Sequence, residues 1–251
     1  MQQDGLQEQI LLLTEVILQD NNKINEQPNI KETMKNIIIV GASGHAAEID
    51  EYIIYTQKKN GLKEFNISGF IDDNPDNYAR YKFSAPLIGN IKDHKVLKDC
   101  FYILGIANMD YRKSIADRFK AEGAEFINFI HASAYVSESA KLGKGNIIGP
   151  NVNIGPNVVV GNFNLINSRS SMGHDTRLGD YNFISPNVCF SGFTCVGDEN
   201  LFGINSATIP GIKVGNRNKI AAGMVLDQNV GDDEVVFYRY KEKIIAVPKK
   251  G

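Results

Sequence analysis

An apolar residue recurs at every sixth position from Val136 to Leu226, and this spacing constrains the fold more than any other feature of the 251-residue chain. Fifteen of its 16 positions are apolar, and Thr208 is the exception. Glycine often follows the apolar residue. The residue two positions before the apolar one is small, polar or β-branched. Neither the period of a helix nor that of a strand produces this repeat, whereas a short strand followed by a tight corner does.

Three six-residue units close a triangular coil of 18 residues, and the repeat covers about five such coils. Neighbouring coils would stack as parallel strands roughly 4.8 Å apart. The apolar column points to the interior, and glycine suits corners where a side chain is crowded or φ is positive. The stretch therefore predicts a parallel β-helix.

The residues before the repeat predict a small parallel α/β domain from about residue 35 to 130, because apolar runs alternate with candidate helices. We predict strands at Asn36–Val40, Phe65–Ile71, Phe101–Ile106 and Phe126–Ile130. We also predict one helix from Ala46 to about Gln57 and a second helix that contains Arg112.

Two turns of this domain are candidate binding elements. Gly41–His45 follows the first strand and opens a helix, so its backbone N–H groups could bind an anion; the alternative is a tight turn without a ligand. Asp72 and Asp73 end the second strand, where carboxylates can hold a ribose or a base edge. Turn chemistry is the alternative for these acids.

Composition excludes several classes of function. The formal net charge of −2 predicts no nucleic-acid partner, and three cysteines without a CxxC motif favour a reduced cytoplasm. Residues 6–18 place apolar residues on one helical face, but this run is short and contains Glu15, so we expect neither a signal peptide nor a membrane span.

Five motifs in a fixed order narrow the prediction. They resemble the PglD/NeuD-type sugar acetyltransferases, which belong to the hexapeptide-repeat acyltransferase superfamily, over residues 35 to about 230. The motifs are GASGHA at 41–46, FIDDNP at 70–75, IHASAYVSESAKLG at 130–143, INSRSSMGHD at 166–175 and LFGINSATIP at 201–210.

The resemblance implies a homotrimer built on a left-handed β-helix. It divides the chain into a helical appendage and linker (1–34), a nucleotide-sugar-binding α/β domain (35–131), the β-helix (132–230) and a C-terminal tail (231–251). It also implies site residues. It assigns the nucleotide sugar to Ser43, Gly44, His45, Asp72, Asp73, Ala107 and Asn108, and acetyl-coenzyme A to Phe183, Gly192, Ile204 and Ala222. Ala107 stands where family members often have glycine, and Phe183 where they often have histidine.

His174 is the single histidine within the repeat, and a β-helix zinc site needs three, so no metal is expected. The family uses this histidine as the proton acceptor, and Asp175 beside it favours the protonated form. One coil is 18 residues, which stacks His174 beneath Gly192, whose N–H could bind the developing oxyanion.

We therefore predict an acetyl-CoA-dependent N-acetyltransferase that acts on a nucleotide-linked amino sugar of the UDP-4-amino-4,6-dideoxysugar type, for the synthesis of bacterial surface glycans in the cytoplasm. One alternative is an O-acetyltransferase for sialic acid or another sugar, with the same base acting on a hydroxyl. Another is a non-catalytic sugar-nucleotide-binding scaffold, although such a protein would be expected to lose His174.

Overall fold

The computed structural model describes residues 34–238, so the helix predicted within residues 6–18 lies outside the described residues. Its first part is a five-stranded parallel sheet with the strand order β3-β2-β1-β4-β5. The strands are β1 (Lys35–Val40), β2 (Phe65–Ile71), β3 (Leu87–Gly89), β4 (Phe101–Leu104) and β5 (Glu125–Phe126). The helices are α1 (Gly44–Asn60), α2 (Pro75–Ala79) and α3 (Met109–Ala121).

The strand order determines where this sheet can bind a ligand. Helices cover both of its faces, so the β1 residues Ile37 to Val40 are fully buried. The order reverses between β1 and β4, and the carboxyl ends of those two strands therefore flank a crevice of the kind in which open α/β sheets bind ligands. Helix α1 starts in this crevice and ends at Gly61, which has a φ of 67°.

The remaining strands form a parallel β-helix with three flat faces, each made of two-residue strands. Face I contains β6 (Phe129–Ile130), β9 (Ile147–Ile148), β12 (Leu165–Ile166), β15 (Phe183–Ile184), β18 (Leu201–Phe202), β21 (Lys219–Ile220) and β23 (Val235–Val236). Face II contains β7 (Tyr135–Val136), β10 (Asn153–Ile154), β13 (Ser171–Met172), β16 (Cys189–Phe190), β19 (Ala207–Thr208) and β22 (Val225–Leu226). Face III contains β8 (Lys141–Leu142), β11 (Val159–Val160), β14 (Arg177–Leu178), β17 (Cys195–Val196) and β20 (Lys213–Val214).

The predicted fold class, a small α/β domain followed by a left-handed β-helix, is confirmed. From β9 onward, the second residue of each strand points inward, and these residues, apart from Thr208, form the apolar core of the coils. The second residue of the turn adopts positive φ in coil after coil, as at Asn157 (57°) and Asn205 (60°). Within residues 34–238, no helix is long and apolar enough to cross a membrane.

The fourth strand predicted for the α/β sheet, residues 126–130, is divided between the two parts of the fold. Phe126 pairs with β4, whereas Phe129 pairs with Ile147 of the β-helix. Asn128 explains the division, because its side chain donates to Gly143 O at 2.6 Å and accepts from Asn146 N at 2.8 Å. These bonds hold the chain on the first coil.

A ladder of asparagines supports the β-helix from inside. Each Oδ1 accepts the backbone N–H of the next member, and each side-chain amide donates to a carbonyl of the following corner, as Asn182 does to Gly197 O at 2.9 Å. Such bonds satisfy groups that would otherwise be buried without a partner. The members lie 18 residues apart, at Asn128, Asn146, Asn164, Asn182, Asn200 and Asn218, and all but the first are fully buried.

We expect Asn182→Ala to lower the free energy of unfolding by about 3 kcal/mol, because it leaves the Asn200 N–H and the Gly197 carbonyl without partners. Urea titration followed by circular dichroism measures this loss. Asn66→Ala is the matched control, because its amide bonds only an exposed side chain, that of Asn36. Equal stability of the two variants would contradict a supporting role for the ladder.

The α/β domain covers the part of face I that lies nearest to it. Outward side chains of this face, Ile147 and Leu165, are 3% and 1% exposed and belong to the core of the α/β domain. Face II is open and carries no charged residue in its strands, because its outward side chains are Tyr135, Asn153, Ser171, Cys189, Ala207 and Val225.

Candidate functional site

His174 lies at the corner between faces II and III, just after β13. Its side chain is 57% exposed, and its Nδ1 lies 2.9 Å from Asp175 Oδ2. Asn157 Nδ2 donates to the other oxygen of Asp175 at 3.2 Å. The hydrogen bond from His174, followed by the one from Asn157, lowers the pKa of Asp175. An ionised carboxylate therefore orients the imidazole and leaves Nε2 free for a substrate.

Gly192 lies one coil away from His174, as the 18-residue spacing predicts. A Cβ on Gly192 would lie 2.7 Å from His174 Nε2, so the imidazole packs directly against this glycine. The ring of Phe193 meets the imidazole edge to face at 5.0 Å. Among the described residues, the Gly192 N–H has no hydrogen-bond acceptor, so it is available to an oxyanion.

Ile204 and Ala222 lie at a different corner, between faces I and II. They belong to successive coils, which Gly223 N joins by donating to Ile204 O at 2.8 Å. The side chain of Ile204 is 44% exposed. The width of face II therefore separates these two residues from His174 of the same chain.

Phe183 lies on face I, and the structure brings it to Ala107 and Asn108 rather than to Ile204 and Ala222. These three residues line a cavity of about 420 Å³ between the start of α3 and the β-helix. Asn108 caps α3, because its Oδ1 accepts from Asp110 N at 2.9 Å. Its side-chain NH₂ group can still donate to a ligand.

The glycine-rich turn has the geometry expected of an anion site. Gly41 has a φ of 103°, which favours glycine, and α1 begins at Gly44. Ser43 precedes the helix without capping it through its side chain, and the first turn contains no acid. The first backbone N–H groups of α1 therefore remain available to a bound anion.

Both acids after β2 accept hydrogen bonds from backbone N–H groups, but only Asp72 braces the glycine turn. Asp72 Oδ2 accepts from Ala42 N at 2.7 Å, and its Oδ1 accepts from Asn74 N at 2.9 Å. Asp73 Oδ1 accepts from Lys92 N at 2.9 Å. The structure thus gives Asp72 a direct link to the glycine turn that Asp73 does not have.

The imidazole of His45 is largely buried beside the glycine turn. Its side chain is 9% exposed, Nδ1 lies 3.3 Å from Glu48 Oε2, and Nε2 is buried with no hydrogen-bond partner within residues 34–238. Burial is the main cause that lowers its pKa, so the ring is neutral at pH 7. Tyr81, which sequence reasoning missed, places its hydroxyl over the turn, 2.9 Å from where a Cβ on Gly44 would be.

Arg112 joins the two parts of the fold, and sequence reasoning placed it only within a helix. It is 1% exposed and donates to Ile106 O at 2.5 Å and to Phe163 O at 2.9 Å. Burial lowers its pKa to about 10, so it stays charged at neutral pH. These two bonds hold the loop after β4, which carries Ala107, against the β-helix. No local pattern distinguishes this arginine from a surface one.

We expect Asp72→Ala to weaken nucleotide-sugar binding about tenfold, because the glycine turn loses its brace, and Asp73→Ala to weaken it less. Isothermal titration calorimetry with the nucleotide sugar measures both effects, and the KM for acetyl-CoA should change little. Asp76→Ala is the control, since that exposed acid accepts neither the Ala42 N–H bond nor the Lys92 N–H bond. Unchanged affinity in both variants would restrict the two acids to a structural role.

Comparisons with known proteins agree with these features. Residues 36–119 match the family model of the PglD N-terminal domain. A UDP-N-acetylbacillosamine N-acetyltransferase of Bacillus subtilis is 30% identical over 117 residues, which are 46% of this chain and 51% of that protein. The chain therefore aligns with about half the length of this curated relative.

Two solved structures share the fold. Perosamine N-acetyltransferase from Caulobacter crescentus, a mutant in complex with CoA and GDP-perosamine, has a TM-score of 0.68 at 23% identity, covering 81% of this chain and 93% of that one. The acetyltransferase domain of PglB from Neisseria gonorrhoeae, in complex with acetyl coenzyme A, has a TM-score of 0.69 at 22% identity, covering 80% and 95%. Residues 36–119 thus resemble the PglD N-terminal domain, and the resemblance of the chain to the PglD-type sugar acetyltransferases is confirmed.

Proposed function

We propose that this protein is an acetyl-CoA-dependent N-acetyltransferase that acts on a nucleotide-linked amino sugar. The observation that carries the proposal is the stack of His174, oriented by Asp175, against the backbone of Gly192. It pairs a proton acceptor with an unpartnered N–H donor, which are the two groups that acyl transfer requires. The proteins most similar to this chain include N-acetyltransferases for bacillosamine and perosamine nucleotides.

In the proposed reaction, the amine of the sugar attacks the carbonyl carbon of the thioester. His174 Nε2 accepts the proton that the amine loses, and Gly192 N–H stabilises the negative charge that develops on the carbonyl oxygen. The new C–N bond forms, the C–S bond breaks, and the leaving thiolate takes up the proton held by His174. The carboxylate of Asp175 stabilises the imidazolium between these two steps.

The α/β domain would hold the nucleotide. The start of α1 offers unpaired N–H groups to the phosphates, and His45 Nε2 offers a buried acceptor. The cavity lined by Asn108 and Phe183 lies between the start of α3 and the β-helix, and we assign the sugar of the substrate to this cavity. Phe183 gives that cavity an aromatic wall where family members often have a polar histidine.

We also propose that the protein is a homotrimer with active sites shared between neighbours. The α/β domain covers part of face I, whereas the open face II is uncharged and repeats coil after coil. Cyclic packing of such faces closes a ring of three without leaving an interface unused. His174 and Ile204 lie at opposite edges of face II. A neighbouring chain can therefore bring its Ile204 and Ala222 to the His174 and Gly192 of the first chain.

We place the reaction in the cytoplasm and in surface-glycan synthesis. The free thiols of Cys100, Cys189 and Cys195 support a reducing compartment. The perosamine and bacillosamine substrates named for the similar proteins support an amino sugar as acceptor.

An acetyl-transfer screen tests the proposal. Acetyl-CoA is incubated with UDP-, dTDP- and GDP-linked 4-amino sugars and with free sialic acid, and the products are identified by mass spectrometry. We expect N-acetylation of at least one nucleotide sugar and loss of that product with His174→Ala. Acetylation of sialic acid alone would instead indicate an O-acetyltransferase, and binding without transfer would indicate a scaffold.

A further inference from the structure

Thr208 interrupts the apolar column at a position that faces the corner of His174 and Gly192. Its side chain is 4% exposed, so its hydroxyl is buried among the core residues. That hydroxyl accepts from Ser191 N at 3.1 Å and lies 2.8 Å from Thr194 Oγ1. The backbone carbonyl of Thr208 accepts from Ser191 Oγ at 2.7 Å. Both the hydroxyl group and the backbone carbonyl of Thr208 therefore bond Ser191.

This arrangement replaces a bond that the regular coil would make. From residue 137 to 209, the residue after each inward position donates its N–H to the carbonyl of the inward residue one coil on, as Gly173 does to Phe190 O at 2.8 Å. Within that range Ser191 is the only exception, because its N–H goes to the Thr208 hydroxyl and its own hydroxyl goes to the Thr208 carbonyl.

The exception falls on Ser191, whose carbonyl shares a peptide group with the Gly192 N–H. A peptide group is planar, so the Ser191 carbonyl and the Gly192 N–H turn together. Thr194 Oγ1 donates to that carbonyl at 2.7 Å, and Thr208 Oγ1 in turn contacts Thr194 Oγ1. Hydroxyl groups thus hold both sides of Ser191 and determine where the Gly192 N–H points.

We propose that Thr208 is a positioning residue, which acts through Ser191 and Thr194 to aim the Gly192 N–H at the oxyanion of the reaction. The inference rests on the proposed acetyl transfer and adds a residue to it that touches no substrate. It also accounts for the one polar residue in the 16-membered column, because an apolar residue there would allow the regular ladder bond and a regular corner.

Thr208→Val tests this role, because valine keeps the branched shape and removes only the hydroxyl. We expect kcat to fall about tenfold, since one aligned oxyanion donor contributes at least that much. The KM for the nucleotide sugar should stay within twofold. The Tm should be unchanged or higher, because valine completes the apolar column and Ser191 N can form the ordinary bond to the carbonyl.

Two further variants make the result specific. Thr208→Ser keeps the hydroxyl and should retain most of the kcat. Ser170→Ala removes a buried hydroxyl that donates to Ser185 O at 3.0 Å at the corner between faces I and II, and should leave kcat unchanged.

The outcomes separate a positioning role from a structural one. If Thr208→Val lowers both kcat and Tm, the role of Thr208 is structural and the inference is overturned. A kcat within twofold of the wild type would overturn it as well. Either result leaves the proposed function intact. A wild-type protein that transfers no acetyl group in the screen would overturn both.

Discussion

Replacing His174 by alanine is expected to lower kcat by about two to four orders of magnitude, because the amine loses the group that accepts its proton. The exposed imidazole is held by Asp175 through Nδ1 and packs on Gly192, which leaves its Nε2 free for the proposed role. Nucleotide-sugar binding should persist, since the glycine turn lies in the other domain. Steady-state kinetics with the substrate found in the screen measures the loss.

The control for this variant separates chemistry from folding. A side chain that is 57% exposed contributes little to the core, so the Tm of His174→Ala should match that of the wild type. Asp175→Asn should lower kcat less than His174→Ala does, because the imidazole remains. Turnover near the wild-type level with pure His174→Ala protein would remove this histidine from the mechanism.

Mixing two inactive variants should restore activity if neighbouring chains share each site. His174→Ala lacks the base, and Ile204→Arg places a charge at the proposed coenzyme corner on the other edge of face II. In trimers assembled at random from equal amounts, about one interface in four would combine the intact His174 of one chain with the intact Ile204 of its neighbour. We therefore expect co-expressed variants to recover about a quarter of the wild-type activity.

A second pair provides the matched control. His174→Ala and Gly192→Val alter the same corner of one chain, because Gly192 packs against the His174 ring, so this pair should stay inactive when co-expressed. Light scattering should give three times the chain mass of 27.8 kDa. A fully active monomer, or no recovery in the first pair, would contradict the shared site.

Most of the β-helix follows from the sequence, because its contacts repeat. The period of six identifies the inward column, and the multiple of 18 places Gly192 against His174, since every coil meets the next in the same register. The glycine turn of the α/β domain is also local, and its geometry requires only a strand, a glycine and a helix in succession. Such features depend on neighbours whose distance along the chain is fixed.

The coils, the strand–turn–helix and the stack of His174 on Gly192 could be predicted from the sequence, whereas the contacts between the α/β domain and the β-helix depend on how the two pack together. Phe183 joins Asn108, and Arg112 joins the β-helix, through contacts between segments with no periodic relation. Thr208 appears in the sequence as a single exception in a column. Its meaning depends on the direction of one hydroxyl group, which is decided by the packing around it. Because the repeat length is constant, the spacing along the sequence predicts which residues pair between coils. At a non-repeating contact, the direction of a side chain depends on all the atoms that surround that side chain.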